Sequence, residues 1–173
     1  MTARLPPIIQ FSYLVTDLDA AIEHWAGTLS VGPFFVLEHV PFANQLYRGD
    51  PCEADISVAL AYSGPVQIEL VQQHNDARSI FFDFLSTRGE GLQHVGAITQ
   101  NLDEDLAALA KVGAAPVQWG EAENGTRFAY LNTDKVPGAM LELFQLPTKV
   151  ASAFDYMQAA AQKWRPGIDP ARR

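Results

Sequence analysis

Two carboxylates in this chain interrupt apolar runs. Glu69 lies inside Ile68-Glu69-Leu70-Val71-Gln72, and Glu142 lies inside Leu141-Glu142-Leu143-Phe144-Gln145. Both runs are short and rich in strand-forming residues. Side chains alternate across a strand, so each Glu points away from the face its apolar neighbours fill. One such Glu can simply face solvent. Two in matching contexts suggest convergence on a concave surface, where a cation would offset the cost of burying them. Two more polar residues are matched in the same way. Gln10 opens Gln10-Phe11-Ser12 and His94 opens His94-Val95-Gly96, each seven places before a helix-start residue, Asp17 or Asn101. The gap from first to second mark is 59 residues (10 to 69) in one half and 48 (94 to 142) in the other, a difference that loops absorb. Together Gln10, Glu69, His94 and Glu142 offer three oxygens and one imidazole. That set suits Zn²⁺, Ni²⁺, Co²⁺, Mn²⁺ or Fe²⁺ and leaves positions for water or substrate. A strand histidine can equally be a hydrogen-bonded core residue, and His24, His39 and His74 read as surface or structural.

Each half supplies the elements that would position these marks. Ile8 to Val15 reads as a strand, and Leu18, Ile22, Trp25 and Leu29 recur at helical spacing until Gly32-Pro33. Phe34 to Val40 reads as a strand and Asn44 to Pro51 as a loop. Ile56–Tyr62 and Val66–Gln72 flank Ser63-Gly64-Pro65 as a hairpin. The second half repeats the order: a strand at Leu92–Ile98, a helix on Leu102, Leu106, Leu109 and Val112, and strands near Val117–Trp119, Phe128–Leu131 and Met140–Phe144. The expected fold is therefore α+β, with two tandem β-α-β-β-β modules in a cup-shaped, mostly antiparallel sheet. The expected division is 6–76 and 92–147 for the modules, 77–91 for a connecting segment with a short helix at Ser79–Leu85, and 148–173 for a C-terminal helix and loose tail from Arg165.

Composition narrows the partners. The 173 residues are 48% apolar with a formal charge of −8, which permits a sizeable core and argues against nucleic acid and acidic membrane surfaces. A single cysteine, Cys52, and no secretory signal make the cytoplasm the expected location. Phe34, Phe35, Phe42, Tyr47 and the Phe81-Phe82-Phe84 cluster could line an apolar ligand pocket or fill a core.

The duplication, the Asp17-Leu18-Asp19 helix start, the Gln93-His94-Val95-Gly96 strand and the paired Glu-Leu-Val and Glu-Leu-Phe strands resemble the vicinal oxygen chelate superfamily over about residues 6–147. The resemblance implies that Gln10, Glu69, His94 and Glu142 are metal ligands lining one cup. The set matches glyoxalase I. It departs at Gln10 and Glu69 from methylmalonyl-CoA epimerase, and at Gln10 from extradiol dioxygenases. The resemblance also implies enediolate or enolate chemistry on a small carbonyl or thioester substrate, with Glu142 or Glu69 leaving the metal to act as base. Glu53 falls where epimerases place a catalytic glutamate, though it also fits a solvated strand entrance. The expected protein is a divalent-metal-dependent isomerase, epimerase or glyoxalase-type lyase, and a homodimer. The alternative is a binding or sequestration protein of the same fold.

Overall fold

The computed structural model of the chain describes residues 5–132 and 140–173. Strand β1 (Gln10–Leu14) runs into helix α1 (Leu18–Leu29), followed by β2 (Phe35–Leu37), β3 (Phe42–Tyr47), β4 (Asp50–Pro51), β5 (Ile56–Ser63) and β6 (Val66–Gln73). Helix α2 (Ile80–Arg88) leads to β7 (Gly91–Ile98), α3 (Leu102–Ala110), β8 (Pro116–Ala122), β9 (Arg127–Leu131), β10 (Met140–Gln145) and α4 (Thr148–Ala161). None of the described helices is long and apolar enough to cross a membrane.

All ten strands belong to one curled sheet in the order β2-β5-β6-β1-β7-β10-β9-β8-β3-β4. Its first eight strands form a palindrome about the antiparallel β1–β7 pair, so the two halves mirror each other strand for strand. Among the described strands, β1–β6 and β7–β10 pair in parallel and the other neighbours are antiparallel. The convex face is covered by α1 over Ile68, Leu70, Ala59 and Phe34, and by α3 over Ala97, Ala129, Leu131 and Leu143. Alternation then explains the interrupted apolar runs: Ile68 and Leu70 face α1, while Glu69 turns to the concave side.

The Gln three places after the Glu of each strand has a structural role. Gln72 accepts a hydrogen bond from the Leu18 amide at 2.8 Å, and Gln145 accepts one from the Leu102 amide at 3.2 Å. Asp17 and Asn101 cap the same helix starts with their own side chains. Each strand thus fixes where its module's helix begins. In α1 the buried stripe is Leu18, Ile22 and Ala26, while Leu29 is exposed, a shift from the expected spacing that brings Ala26 inward.

Two expectations are corrected. The stretch from Asn44 to Pro51 is not a loop: β3 and β4 lie within 42–51, and β3 crosses the cup to pair with β8 of the other half. The open edge of β8 supplies backbone partners that no residue near 42–51 in sequence could offer. Nor is the tail loose. Phe34 donates to Ala171 O at 2.7 Å and accepts from Arg173 N at 2.8 Å, and Arg172 pairs with Asp19 and Glu38. Trp164 packs on Gly32, where even a methyl group would stand 3.0 Å from the indole ring. The edge strand β2 would otherwise present unpaired backbone groups, and the tail satisfies them.

Candidate metal centre

The register of four central strands brings the matched polar residues to one place. Ser12 lies opposite Glu69 on one side and His94 on the other, while Gly96 lies opposite Gln10 and Glu142. All of these positions share the concave face. Glu69 Oε2 lies 3.2 Å and Glu142 Oε2 3.3 Å from His94 Nε2, and the three ligand atoms lie within 4.8 Å of one another. Gln10 lines the same cavity as the two carboxylates.

His94 is wholly buried, and its Nδ1 bonds Gln93 Oε1. That bond makes Nδ1 the donor and turns Nε2 toward the carboxylates. Adjacent strand residues ordinarily point to opposite faces. Here the β1–β7 register shifts between Ser12 and Tyr13, so Gln93 is the extra residue of a β-bulge. The bulge lets Gln93 reach its neighbour's ring.

Nε2 makes no aligned hydrogen bond with either carboxylate despite its proximity. Burial opposes charge on the ring, but the Glu142 and Glu69 carboxylates outweigh it and draw the His94 pKa up to about 9. The site thus favours a positive charge among three converging donors. Tyr130, 5.1 Å from the imidazole by ring centroids, is held in its phenol form, first by burial and then by the charges of Glu142 and Glu69.

Gln10 is oriented from the other side. Its Nε2 donates to Gln67 Oε1 at 2.8 Å, and Gln67 Nε2 donates to the Tyr62 hydroxyl at 3.0 Å. This relay commits the amide nitrogen and leaves Gln10 Oε1 buried and unpartnered, as are Ser12 Oγ and His94 Nε2. Unpaired buried polar atoms each cost about 1–3 kcal/mol. Three of them on one patch fit a site built for a cation and its ligands. The N···O separations agree with this, since tetrahedral donors bonded at about 2.0–2.2 Å lie roughly 3.3 Å apart. Glu69, His94 and Glu142 could therefore hold a metal ion, with Gln10 Oε1 as a fourth donor.

Glu53 is not part of this group. It is exposed and lines a separate hollow, sharing only the Val40, Phe42 and Gln45 wall with the main cavity. His39 pairs with Asp55, His74 with Ser57, and His24 is exposed. Of the aromatics singled out in the sequence, Phe42 and Phe81 line the cavity; Phe34 is core, and Tyr47 bonds Asp83. Gln93, Ser12 and Tyr130 were not singled out as site residues. Nothing in their types marked them, and only strand register and the bulge place them at the centre.

Methylmalonyl-CoA epimerase from Mycobacterium tuberculosis is 21% identical, with a TM-score of 0.62 over 88% of this chain and 95% of that one. A variant of Streptomyces coelicolor methylmalonyl-CoA epimerase in complex with 2-nitronate-propionyl-CoA is 19% identical, with a TM-score of 0.58 over 82% and 98% of the two chains. A hypothetical protein from Bacillus halodurans C-125 is 16% identical, with a TM-score of 0.60 over 82% and 94%. These likenesses establish the shared fold. No curated protein matches the chain by sequence. The family model of the Glyoxalase/Bleomycin resistance protein/Dioxygenase superfamily matches residues 9–130, a span that holds Gln10, Glu69 and His94, and the chain belongs to that superfamily.

Proposed function

We propose that the protein is a divalent-metal-dependent isomerase, epimerase or glyoxalase-type lyase that moves a proton beside a carbonyl group. The observation that carries this reading is the convergence of Glu69, His94 and Glu142 at the floor of a largely apolar cavity of about 380 Å³. Gln10, Glu69, His94 and Glu142 would hold the ion. When bound, it supplies Lewis acidity that lowers the cost of negative charge on a carbonyl oxygen. His94, held by Gln93, would keep its Nε2 toward the ion. Glu69 or Glu142 takes the proton and can return it, and the Tyr130 phenol beside Glu142 steadies that carboxylate. Glu53 has no place in this scheme because it lies outside the cavity. Structurally similar epimerases bind CoA thioesters, which makes thioesters as well as free carbonyl compounds candidate substrates.

The second reading, a binding protein, is favoured by α4, which lies along the cavity and narrows it. Two measurements separate them. Metal analysis after purification, and after adding Zn²⁺, Ni²⁺, Co²⁺ or Mn²⁺, should show about one ion per chain if the centre is a metal site. Proton NMR in D₂O should then show enzyme-dependent exchange beside the carbonyl in a panel of 2-oxo acids and acyl thioesters. A chain that binds no ion refutes the metal reading, and one that binds an ion without exchange in any compound favours the binder.

A further inference from the structure

The cavity above the carboxylates has walls of contrasting kinds. Its floor is polar, made by Gln10, Glu69, Glu142 and Tyr130. Its sides include Phe42, Phe128 and Phe144, with Phe42 and Phe128 edge-to-face at 5.5 Å. The remaining wall is α4. Val150, Ala153, Phe154 and Met157 all line the cavity at spacings of three, four and seven residues, which is one face of a helix. Phe154 stands 6.4 Å from Phe144, ring to ring, and Gln158 donates to Gly64 O at 3.3 Å. The helix therefore spans from the end of β10 to the β5–β6 turn, and the tail anchored on β2 holds its far end.

α4 contains no fully buried residue; Phe154 packs against the core, and Val150, Ala153 and Met157 extend the same apolar face along the cavity. Among the described residues lining the cavity, Lys149 is the only cation. A CoA thioester carries a nucleotide and several phosphates, and these walls offer them a single positive charge. The volume of about 380 Å³ sits near the low end of the roughly 300–1,000 Å³ typical of small-molecule sites.

We propose that the cup takes a small carbonyl compound with a compact apolar, ring-sized body, and that it does not take a CoA thioester. The carbonyl end faces Glu69, His94 and Glu142, and the body packs between the phenylalanine walls and the Ala153–Phe154–Met157 face of α4. The carbonyl end of this assignment rests on the metal-centre reading above; the body end rests on the walls.

Benzohydroxamate and acetohydroxamate test it, because they share one chelating group and differ in the body. Titrations use Co²⁺-loaded and chelator-treated protein, with the ¹³C-labelled Met157 methyl resonance as reporter. In loaded protein benzohydroxamate should bind about tenfold or more tighter than acetohydroxamate, since only benzohydroxamate buries a ring against the apolar walls. Ala153→Trp, which would fill the α4 side of the cavity away from the carboxylates, should remove that preference while leaving cobalt content unchanged. Tyr156→Ala, on the face of α4 that stacks on Phe35, should change neither. Equal binding of the two hydroxamates, an unaffected Ala153→Trp variant, or propionyl-CoA binding more tightly than benzohydroxamate would overturn the proposal. If the protein takes no cobalt, benzohydroxamate must still shift Met157 where acetohydroxamate does not. That result would reject the metal reading and support the body pocket, and a silent Met157 would reject the pocket too.

Discussion

The half built on β1 and β6 and the half built on β7 and β10 share a backbone plan but not a chemistry. In both, the carboxylate is placed by the same parallel register: Ser12 opposite Glu69, Gly96 opposite Glu142. In both, the Gln three places after the carboxylate accepts from the first amide of the module's helix. The halves part at the first mark. His94 is a strong ligand type, wholly buried and locked by a neighbour on a bulge. Gln10 is a weak ligand type, oriented through a relay of amide and phenol that spends its nitrogen to free its oxygen. Glycine at position 96 makes room for Gln10, because a methyl group there would have to displace Gln10 Oε1 and would stand 2.9 Å from Phe144. The equivalent residue of the first half, Ser12, carries its side chain opposite His94 without difficulty. Duplication thus supplies two equivalent frames, and the side chains divide the labour between an anchoring half and an accommodating half.

The sharpest way to break this comparison is metal retention. His94→Ala and Glu142→Gln should each reduce bound metal from about one ion per chain to near none, measured by elemental analysis after dialysis, because each removes a charged or imidazole donor. Gln10→Ala should weaken affinity by only about 10–100-fold, within the range seen for supporting residues. Loss as complete for Gln10→Ala as for His94→Ala would make the halves equal partners.

The next largest effect should appear in stability. Gly96→Ala should cost about 1–3 kcal/mol through overpacking, read from chemical denaturation, and Gln10→Ala in the same chain should recover part of it. Ser12→Gly, the mirror change, should cost about 1 kcal/mol or less, chiefly from added backbone freedom. Equal costs would mean that the close approach at Gly96 is not specific to Gln10. Removing the helix caps should be milder. Gln72→Ala and Gln145→Ala should each lose about 1 kcal/mol, with Gln72 the costlier because its bond is shorter.

The smallest effect concerns pH and belongs to one half only. Glu90 accepts from both the amide and the hydroxyl of Thr16, each at 2.6 Å, whereas in the second half the matching position is Gln100 and its neighbour Thr99 bonds Asp105 within its own module. Those bonds hold the Glu90 pKa below its ordinary value of 4.5. A carboxylate with a depressed folded pKa adds stability at pH above 4.5, which is lost as pH falls through the folded value. Glu90→Gln should therefore lower the thermal midpoint slightly at neutral pH and flatten its decline in acid. An unchanged acid limb would mean that the Thr16 contact contributes nothing measurable.

Much of the site was legible before any coordinates, for a physical reason. A carboxylate between apolar strand neighbours violates the usual pattern, and the violation repeats at Glu69 and Glu142. His94 and Gln10 were legible through their equal distances from Asn101 and Asp17. Gln93 and Tyr130 were not, since a bulge and a cross-strand neighbour leave no periodic trace. The crossing of β3 to β8 was hidden as well. Phe42–Tyr47 mixes Asn44 and Gln45 with apolar residues, and its strand character depends on an open edge more than 70 residues away in the chain.

Local pattern by itself determined the two β-α-β-β-β frames, the caps that start their helices and the four polar marks. These depend on periodicity and nearest neighbours, which a chain carries in its residue order. Only the tertiary structure decided how the frames meet. The antiparallel β1–β7 seam turns two remote carboxylates toward one imidazole, the unpaired edge of β2 recruits the tail, and α4 closes on the cavity. Those outcomes satisfy backbone groups and bury surface across long sequence separations, where residue order sets no spacing to read.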